Sequence, residues 1–127
     1  MKKILVMIGG SLTIIWGIAH LIPTGSVVEG FGDISIDNKR IILMEWINEG
    51  LILVFLGILV ILVTALSYKN LKSRRIVFIS TSTMLIAMAV LSLFTGFQID
   101  FIPYKLCPVI FMISSLLILQ GALDRAN

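Results

Sequence analysis

The fold is decided by residues 45–66, which read EWINEGLILVFLGILVILVTAL. The 17 residues from Gly50 to Leu66 carry no charge, whereas a helix that crosses a hydrocarbon core of about 30 Å needs roughly 20 residues. The span must therefore extend back past Glu49, which places this carboxylate within the bilayer. An ionisable group at that depth is costly and normally faces a bundle interior or a wet cavity, where it marks a binding, proton-relay or ion site.

The whole chain has the composition of an integral membrane protein. Hydrophobic residues make up 58% of it and charged residues 13%, with a mean hydropathy of +1.09, values outside the range of soluble globular proteins. Apolar runs predict four spans, at about residues 4–22, 41–66, 76–97 and 106–123. The predicted fold is an all-α four-helix bundle, a single transmembrane domain over residues 1–127 with short loops and one longer outer loop at residues 26–39.

The distribution of basic residues predicts the orientation of the spans, because cytoplasmic loops carry an excess of Lys and Arg. Seven lie on one side of a four-span arrangement and three on the other: Lys2, Lys3, Lys69, Lys72, Arg74, Arg75 and Arg125 against Lys39, Arg40 and Lys105. We therefore expect a multi-pass protein with both termini and the loop at residues 69–75 in the cytoplasm. This loop is short and lacks interleaved aromatic residues, so it is interpreted as a topology signal that attracts anionic lipid, with no nucleic-acid partner.

The first apolar run has two interpretations. It follows Lys2 and Lys3, as the apolar part of a secretory signal does, but a small-x-small cleavage site is not clear and the run continues to Ile22. We interpret it as a retained helix.

Small residues predict where the first two helices pack, since they let helices approach closely in lipid. Helix two carries Gly50 and Gly57. Helix one carries a stripe at helical spacing that ends in the single histidine: Gly10, Thr13, Gly17 and His20. We expect the stripe to face helix two and to take His20 with it.

Three further expectations concern local positions. Trp16 and Trp46 are candidates for the interfacial aromatic belt or for pocket walls; Trp46 is interpreted as a belt residue, and both alternatives stay open for Trp16. Pro108 is placed in the first turn of helix four, where a missing N–H is tolerated. The hydroxyl residues 80–83 on helix three are expected to bond to the preceding turn or to another helix.

Polar residues from four segments are predicted to meet near the outer ends of the helices. Antiparallel packing brings His20 to the level of Glu45 and Glu49. The inner half has hydroxyl groups and no comparable buried charge, which favours an outward-opening pocket over a through-pore. The candidate catalytic residues are His20 and Glu49, and the candidate ligand-binding residues are His20, Glu45, Asn48, Glu49, Trp16, Gln98, Asp100 and Tyr104.

The same residues also have structural interpretations. A hydrogen bond between His20 and Glu49 would join two helices and contribute about 0.6 kcal/mol. Glu45 is close enough to the outer end to reach interfacial water. The basic residues of the outer side are placed to neutralise nearby carboxylates: Lys39, Arg40 and Lys105.

Metal and cofactor signals are weak. Two carboxylates four residues apart and one histidine offer three ligands, but there is neither a His-Glu-x-x-His motif nor a second histidine, so no metal site is predicted. With Cys107 as the single cysteine, an internal disulfide and a Cys-x-x-Cys pair are excluded. Phosphate-loop, dinucleotide and Ser-His-Asp signatures are absent as well, and no cofactor is indicated.

The first helix and the number of spans resemble a known family. GGSLTIIWGIAHLIPT, residues 9–24, forms a glycine-rich helix closed by proline and is followed by a loop and three further spans. This arrangement resembles the DoxX-like group of small four-helix membrane proteins. The resemblance implies a four-helix bundle in a bacterial cytoplasmic membrane, in some members an accessory to redox systems. It carries over no functional motif residue by residue.

Three classes of function remain open. The first is a pocket that binds, or also transforms, a small amphipathic molecule such as a lipid, isoprenoid or quinone, with His20, Glu45 and Glu49 at its polar end; a reaction there would be an isomerisation or hydrolysis by proton transfer. The second is a structural or accessory subunit whose polar cluster fixes helix packing. The third is proton- or metal-coupled transport by an oligomer. Expected partners are membrane lipids, further copies of the chain or other subunits of a membrane complex.

Overall fold

A computed structural model describes residues 2–66, 71–97, 99–100 and 102–123. These residues form five helices: α1 (Lys2–Leu21), α2 (Thr24–Gly30), α3 (Ile36–Leu66), α4 (Leu71–Thr95) and α5 (Ile102–Ala122). All but α2 are long and apolar enough to cross a membrane. The predicted all-α membrane helix bundle is confirmed, and the chain is a multi-pass membrane protein.

All four spans begin earlier than the apolar runs predict, by two to five residues. The α3 helix starts at Ile36 because Ser35 caps it: the Ser35 hydroxyl accepts the backbone N–H of Asn38 at 3.2 Å. With its 31 residues, α3 is about 46 Å long and projects beyond a hydrocarbon core. The predicted outer loop is partly helical as well, since α2 covers Thr24–Gly30 and only residues 31–35 separate it from α3.

The predicted position of Pro108 is wrong. The α5 helix begins at Ile102, so that Pro103 lies in its first turn and Pro108 lies inside the helix. Pro108 has no backbone N–H and cannot donate the hydrogen bond that residues of a helix interior normally make to the preceding turn. The prediction placed Pro108 in the first turn because the polar residues before Leu106 were interpreted as a turn.

Glycines set the close packing of α1 against α3. Gly10 lies against Gly57 and Gly17 against Gly50, so the two helices run antiparallel. A Cβ added at Gly17 would lie 2.9 Å from the carbonyl oxygen of Gly50, and one at Gly57 would lie 2.6 Å from that of Gly10. The predicted contact between the two small-residue stripes is confirmed.

The α5 helix packs against both α1 and α4. The hydroxyl groups of Ser82 on α4 and Ser115 on α5 each donate to the other residue's backbone carbonyl at 3.1 Å, which confirms that a hydroxyl of residues 80–83 bonds to another helix. Gly121 lies between Val6 on α1 and the Phe78 ring on α4. These pairs make α5 antiparallel to both neighbours.

The helices pack in the spatial order α3, α1, α5, α4. The core along this arc is formed by buried side chains that include Leu53, Phe78, Leu85, Phe111 and Ile118. In contrast, α3 and α4 touch little although they follow each other in the chain. The bundle is therefore loosely closed along one side, which we call the α3–α4 seam.

The two ends of the bundle differ in charge. We call the end that holds Lys2 and Leu123 the inner end, where the Lys2 ammonium donates to the Leu123 carbonyl at 3.2 Å, and the end that holds His20 and Ile36 the outer end. Described basic residues group as the sequence predicts: Lys2, Lys3, Lys72, Arg74 and Arg75 at the inner end, and Lys39, Arg40 and Lys105 at the outer end. Lys69 and Arg125 lie outside the described residues.

Impermeant thiol labelling tests which end faces the cytoplasm. In a Cys107→Ala background, we expect Ser35→Cys at the outer end to react with an impermeant maleimide added to intact spheroplasts. Ser73→Cys at the inner end should react only after permeabilisation. The native thiol is 5% exposed, so its removal lowers background without changing the surface. The opposite labelling pattern would reverse the predicted orientation.

Candidate functional site

A histidine and a glutamate from different helices face each other in the outer half of the bundle. His20 Nε2 lies 3.6 Å from Glu49 Oε2. The pair lies at the outer end of α1, since His20 is the residue before the last of this helix, and next to the contact of Gly17 with Gly50. The separation is longer than a direct hydrogen bond, and His20 Nε2 has no hydrogen-bond partner among the described residues. A buried polar atom without a partner is uncommon, so the site calls for a third group.

An aromatic cluster holds the histidine in place. The Trp46 ring stacks on the His20 ring with a centroid separation of 3.8 Å, and its indole N–H donates to the His20 backbone carbonyl at 2.9 Å. That carbonyl lies in the last turn of α1, where helical carbonyls lack a donor. The Tyr104 ring meets Trp46 edge-on at 5.7 Å. The prediction of Trp46 as a belt residue is wrong, since it is 9% exposed and forms a wall of the site.

The pair faces a cleft at the outer half of the α3–α4 seam. The cleft has a volume of about 600 Å³, within the range of roughly 300–1,000 Å³ that is usual for small-molecule sites. Its α3 wall includes Ile41, Ile42, Glu45, Asn48, Glu49 and Ile52, its α4 wall includes Met84, Met88, Leu91, Ser92 and Thr95, and its floor includes His20, Trp46, Tyr104 and Cys107. We call this space the seam cleft.

The floor of the seam cleft is sealed and its rim is open. The His20 side chain is 4% exposed, whereas that of Glu49 is 36% exposed. Apolar rim residues on both helices are exposed too, among them Ile52 on α3 and Leu91 on α4. Glu49 is therefore reached from the cleft, and the cleft opens sideways between α3 and α4.

Several predicted residues meet in this cleft. Glu45 and Asn48 lie at its exposed rim, Glu49 lies deeper, and His20 and Tyr104 lie at the floor. These five residues come from α1, α3 and α5, which are three of the four segments predicted to contribute.

The remaining predicted residues lie elsewhere. Trp16 lines a separate cavity of about 110 Å³ on the other side of the His20 and Trp46 rings, and its indole N–H is buried without a hydrogen-bond partner among the described residues. Asp100 is fully exposed and forms an ion pair with Lys105 at 3.5 Å, and it does not line the seam cleft. Gln98 lies outside the described residues.

The α4 wall of the cleft was missed by the sequence analysis. It presents Met84, Met88, Leu91, Ser92 and Thr95. Apart from the adjacent pair Leu91 and Ser92, these recur at steps of three and four residues and so share one helix face. That spacing was visible in the sequence, but apolar residues at helical spacing are typical of any transmembrane helix and do not single out a pocket.

The described residues around this pair provide neither a metal site nor a basic side chain in the cleft. Among the described residues, no group of three or more His, Cys, Asp and Glu side chains is arranged to hold a metal ion. Arg40 lies 4.0 Å from Asp37, outside the cleft.

No family model, curated protein or solved structure matches the chain. The resemblance to the DoxX-like group stays a prediction.

Proposed function

We propose that the seam cleft binds a small amphipathic or lipid-like molecule. The observation that carries the proposal is a cleft of about 600 Å³ with a carboxylate and, 3.6 Å from it, a buried histidine nitrogen that has no hydrogen-bond partner among the described residues. Small-molecule sites combine mostly apolar walls with a few polar groups that fix orientation. The polar end of the molecule lies at Glu49 and His20, and its apolar part lies between α3 and α4.

The sideways opening suits a ligand that dissolves in the bilayer. Rim residues such as Ile41, Ile52, Met84 and Leu91 are exposed in the bundle and would contact lipid chains in a membrane. The loose seam between α3 and α4 gives an apolar chain a path from the bilayer to the cleft. A water-soluble ligand would have to cross the outer loops instead.

The geometry favours binding over a purely structural role for the His20 and Glu49 pair. Their 3.6 Å separation exceeds that of a direct hydrogen bond, so the pair is a poor helix clamp. Helix packing has other sources, namely the glycine contacts of α1 with α3 and the paired hydroxyl bonds of Ser82 and Ser115. If the bound molecule is also transformed, the chemistry that the pair provides is proton transfer.

We further propose that the protein lies in a bacterial cytoplasmic membrane with both termini in the cytoplasm. The support is the excess of basic residues at the inner end, together with the resemblance to the DoxX-like group. The cleft then opens in the half of the bilayer that faces away from the cytoplasm.

Filling the seam cleft tests its role. Met84→Trp adds a large ring to the α4 wall at a residue that is 44% exposed, so the fold should tolerate it. Leu93→Trp, on the same helix at a residue that is 47% exposed and outside the cleft, is the matched control. We expect mass spectrometry of the purified proteins to show a bound amphiphile in wild type and Leu93→Trp, and its loss in Met84→Trp. Equal amphiphile content in all three proteins would place the ligand elsewhere.

A further inference from the structure

We infer, on the basis of the proposed function, that the seam cleft selects amphiphiles with a protonated amine head group over those with phosphate or carboxylate head groups. The polar end of the ligand lies against His20 and Glu49 at the inner side of the cleft and reaches towards Glu45 and Asn48 at its rim.

The charge of the lining has one sign. Glu45 and Glu49 lie one helical turn apart and both line the cleft, whereas none of its described lining residues is Lys or Arg. Of the three basic residues of the outer end, Lys39 does not line the cleft, Arg40 lies 4.0 Å from Asp37, and Lys105 lies 3.5 Å from Asp100. A phosphate or carboxylate placed in the cleft would face two carboxylates with no opposing cation, and like charges at close range repel.

His20 provides an observation independent of the two carboxylates. Its side chain is 4% exposed, and its Nε2 atom faces Glu49 across 3.6 Å without a hydrogen-bond partner among the described residues. In the tautomer that carries its proton on Nδ1, the His20 Nε2 atom accepts a hydrogen bond, and a carboxylate only accepts. In that tautomer the two acceptors are bridged by a group with at least two donors. An alkylammonium has three N–H donors, so it can bond to both atoms and still reach the Asn48 amide oxygen or Glu45.

The aromatic floor adds to the preference. The Trp46 ring lies against His20 at 3.8 Å, and the Tyr104 ring lies edge-on to Trp46 at 5.7 Å; both line the cleft. Cations are attracted to the faces of aromatic rings, and aromatic cages are a recurring arrangement for quaternary ammonium groups. One face of Trp46 is covered by His20, so the partly exposed Tyr104 is the ring that a head group reaches. An anionic head group gains nothing from these rings.

Four amphiphiles with the same chain length separate the head groups. Dodecylamine, dodecanol, lauric acid and dodecyl phosphate are titrated at neutral pH, at equal mole fractions, into the protein in maltoside micelles. The chain has two tryptophans, and both line cavities that share His20 and Trp46, so tryptophan fluorescence reports occupancy. We expect saturable binding of dodecylamine that is at least about tenfold tighter than that of lauric acid or dodecyl phosphate, the factor that one charge-assisted hydrogen bond supplies.

Two variants assign the preference to the cleft. Glu49→Gln should remove the preference for dodecylamine, while Glu29→Gln, the same change at an exposed residue of α2 that does not line the cleft, should keep it. If dodecanol or either acid binds as tightly as dodecylamine, or if Glu29→Gln loses the preference as fully as Glu49→Gln, the head-group inference is wrong and the seam cleft still stands as a binding site. If none of the four amphiphiles binds saturably, the proposed function itself is wrong.

Discussion

Gly57→Leu is expected to destabilise the bundle strongly. A Cβ at this position would lie 2.5 Å from Cγ1 of Ile14 and 2.6 Å from the carbonyl oxygen of Gly10. The second of these atoms belongs to the backbone of α1, so a rotamer change cannot relieve the clash and the two helices must move apart. Overpacking of this kind costs about 1–3 kcal/mol, and we expect the upper end of that range because the whole α1–α3 contact depends on close approach.

The stability of each variant is measured by unfolding it in detergent and recording the loss of helix by circular dichroism. Gly25→Leu is the control, since a Cβ at Gly25 meets no atom within 4 Å, so the same side chain is added to α2 at a position that faces open space. The unfolding midpoint of Gly57→Leu should lie well below that of wild type, and the midpoint of Gly25→Leu should equal that of wild type. Equal stability of the two variants would mean that α1 and α3 do not pack through their glycines.

Much of the fold could be predicted from the sequence because membranes restrict the choices. Only helices satisfy their backbone hydrogen bonds alone in lipid, so four apolar runs predicted four helices, and the spacing of Gly10 and Gly17 predicted the α1–α3 contact. Helix ends were harder. The start of α3 depends on the Ser35 cap, and the start of α5 depends on a segment with Pro103 that the sequence analysis took as a turn.

The site was predicted in part for a similar reason. A carboxylate that must lie within the bilayer, Glu49, is conspicuous in an apolar run, and antiparallel packing placed His20 beside it. The role of Trp46 was missed because its partner is a backbone carbonyl at the end of another helix, which no side-chain pattern reveals. The position of the pocket between α3 and α4 was missed because it depends on which helix pair packs loosely. Chain order favours close contact between α3 and α4, but in the structure α3 packs mainly on α1 and α4 packs mainly on α5.

Glu49→Gln is expected to leave the fold intact and to abolish ligand binding. Glutamine has nearly the same shape as glutamate, and the Glu49 side chain is 36% exposed to the cleft, so we expect unfolding within about 1 kcal/mol of wild type, the usual limit for substitutions without a packing defect. Binding should suffer because the amide lacks the charge that holds the polar end of the ligand. If the pair only joins two helices, the loss of stability should be near the 0.6 kcal/mol average for interhelical hydrogen bonds, and the change in ligand binding should be small. Glu49→Leu should then be at least as stable as wild type.

The most direct test of the central claim is unbiased lipid mass spectrometry of wild type, Glu49→Gln, His20→Ala and Glu29→Gln, purified in parallel with a mild detergent. We predict that one class of amphiphile is enriched in wild type and Glu29→Gln, and that its content falls at least about tenfold in Glu49→Gln and His20→Ala, which corresponds to a loss of about 1.4 kcal/mol or more in binding free energy. An identical lipid complement in all four proteins would contradict a ligand site in the seam cleft and would favour a structural or accessory subunit instead.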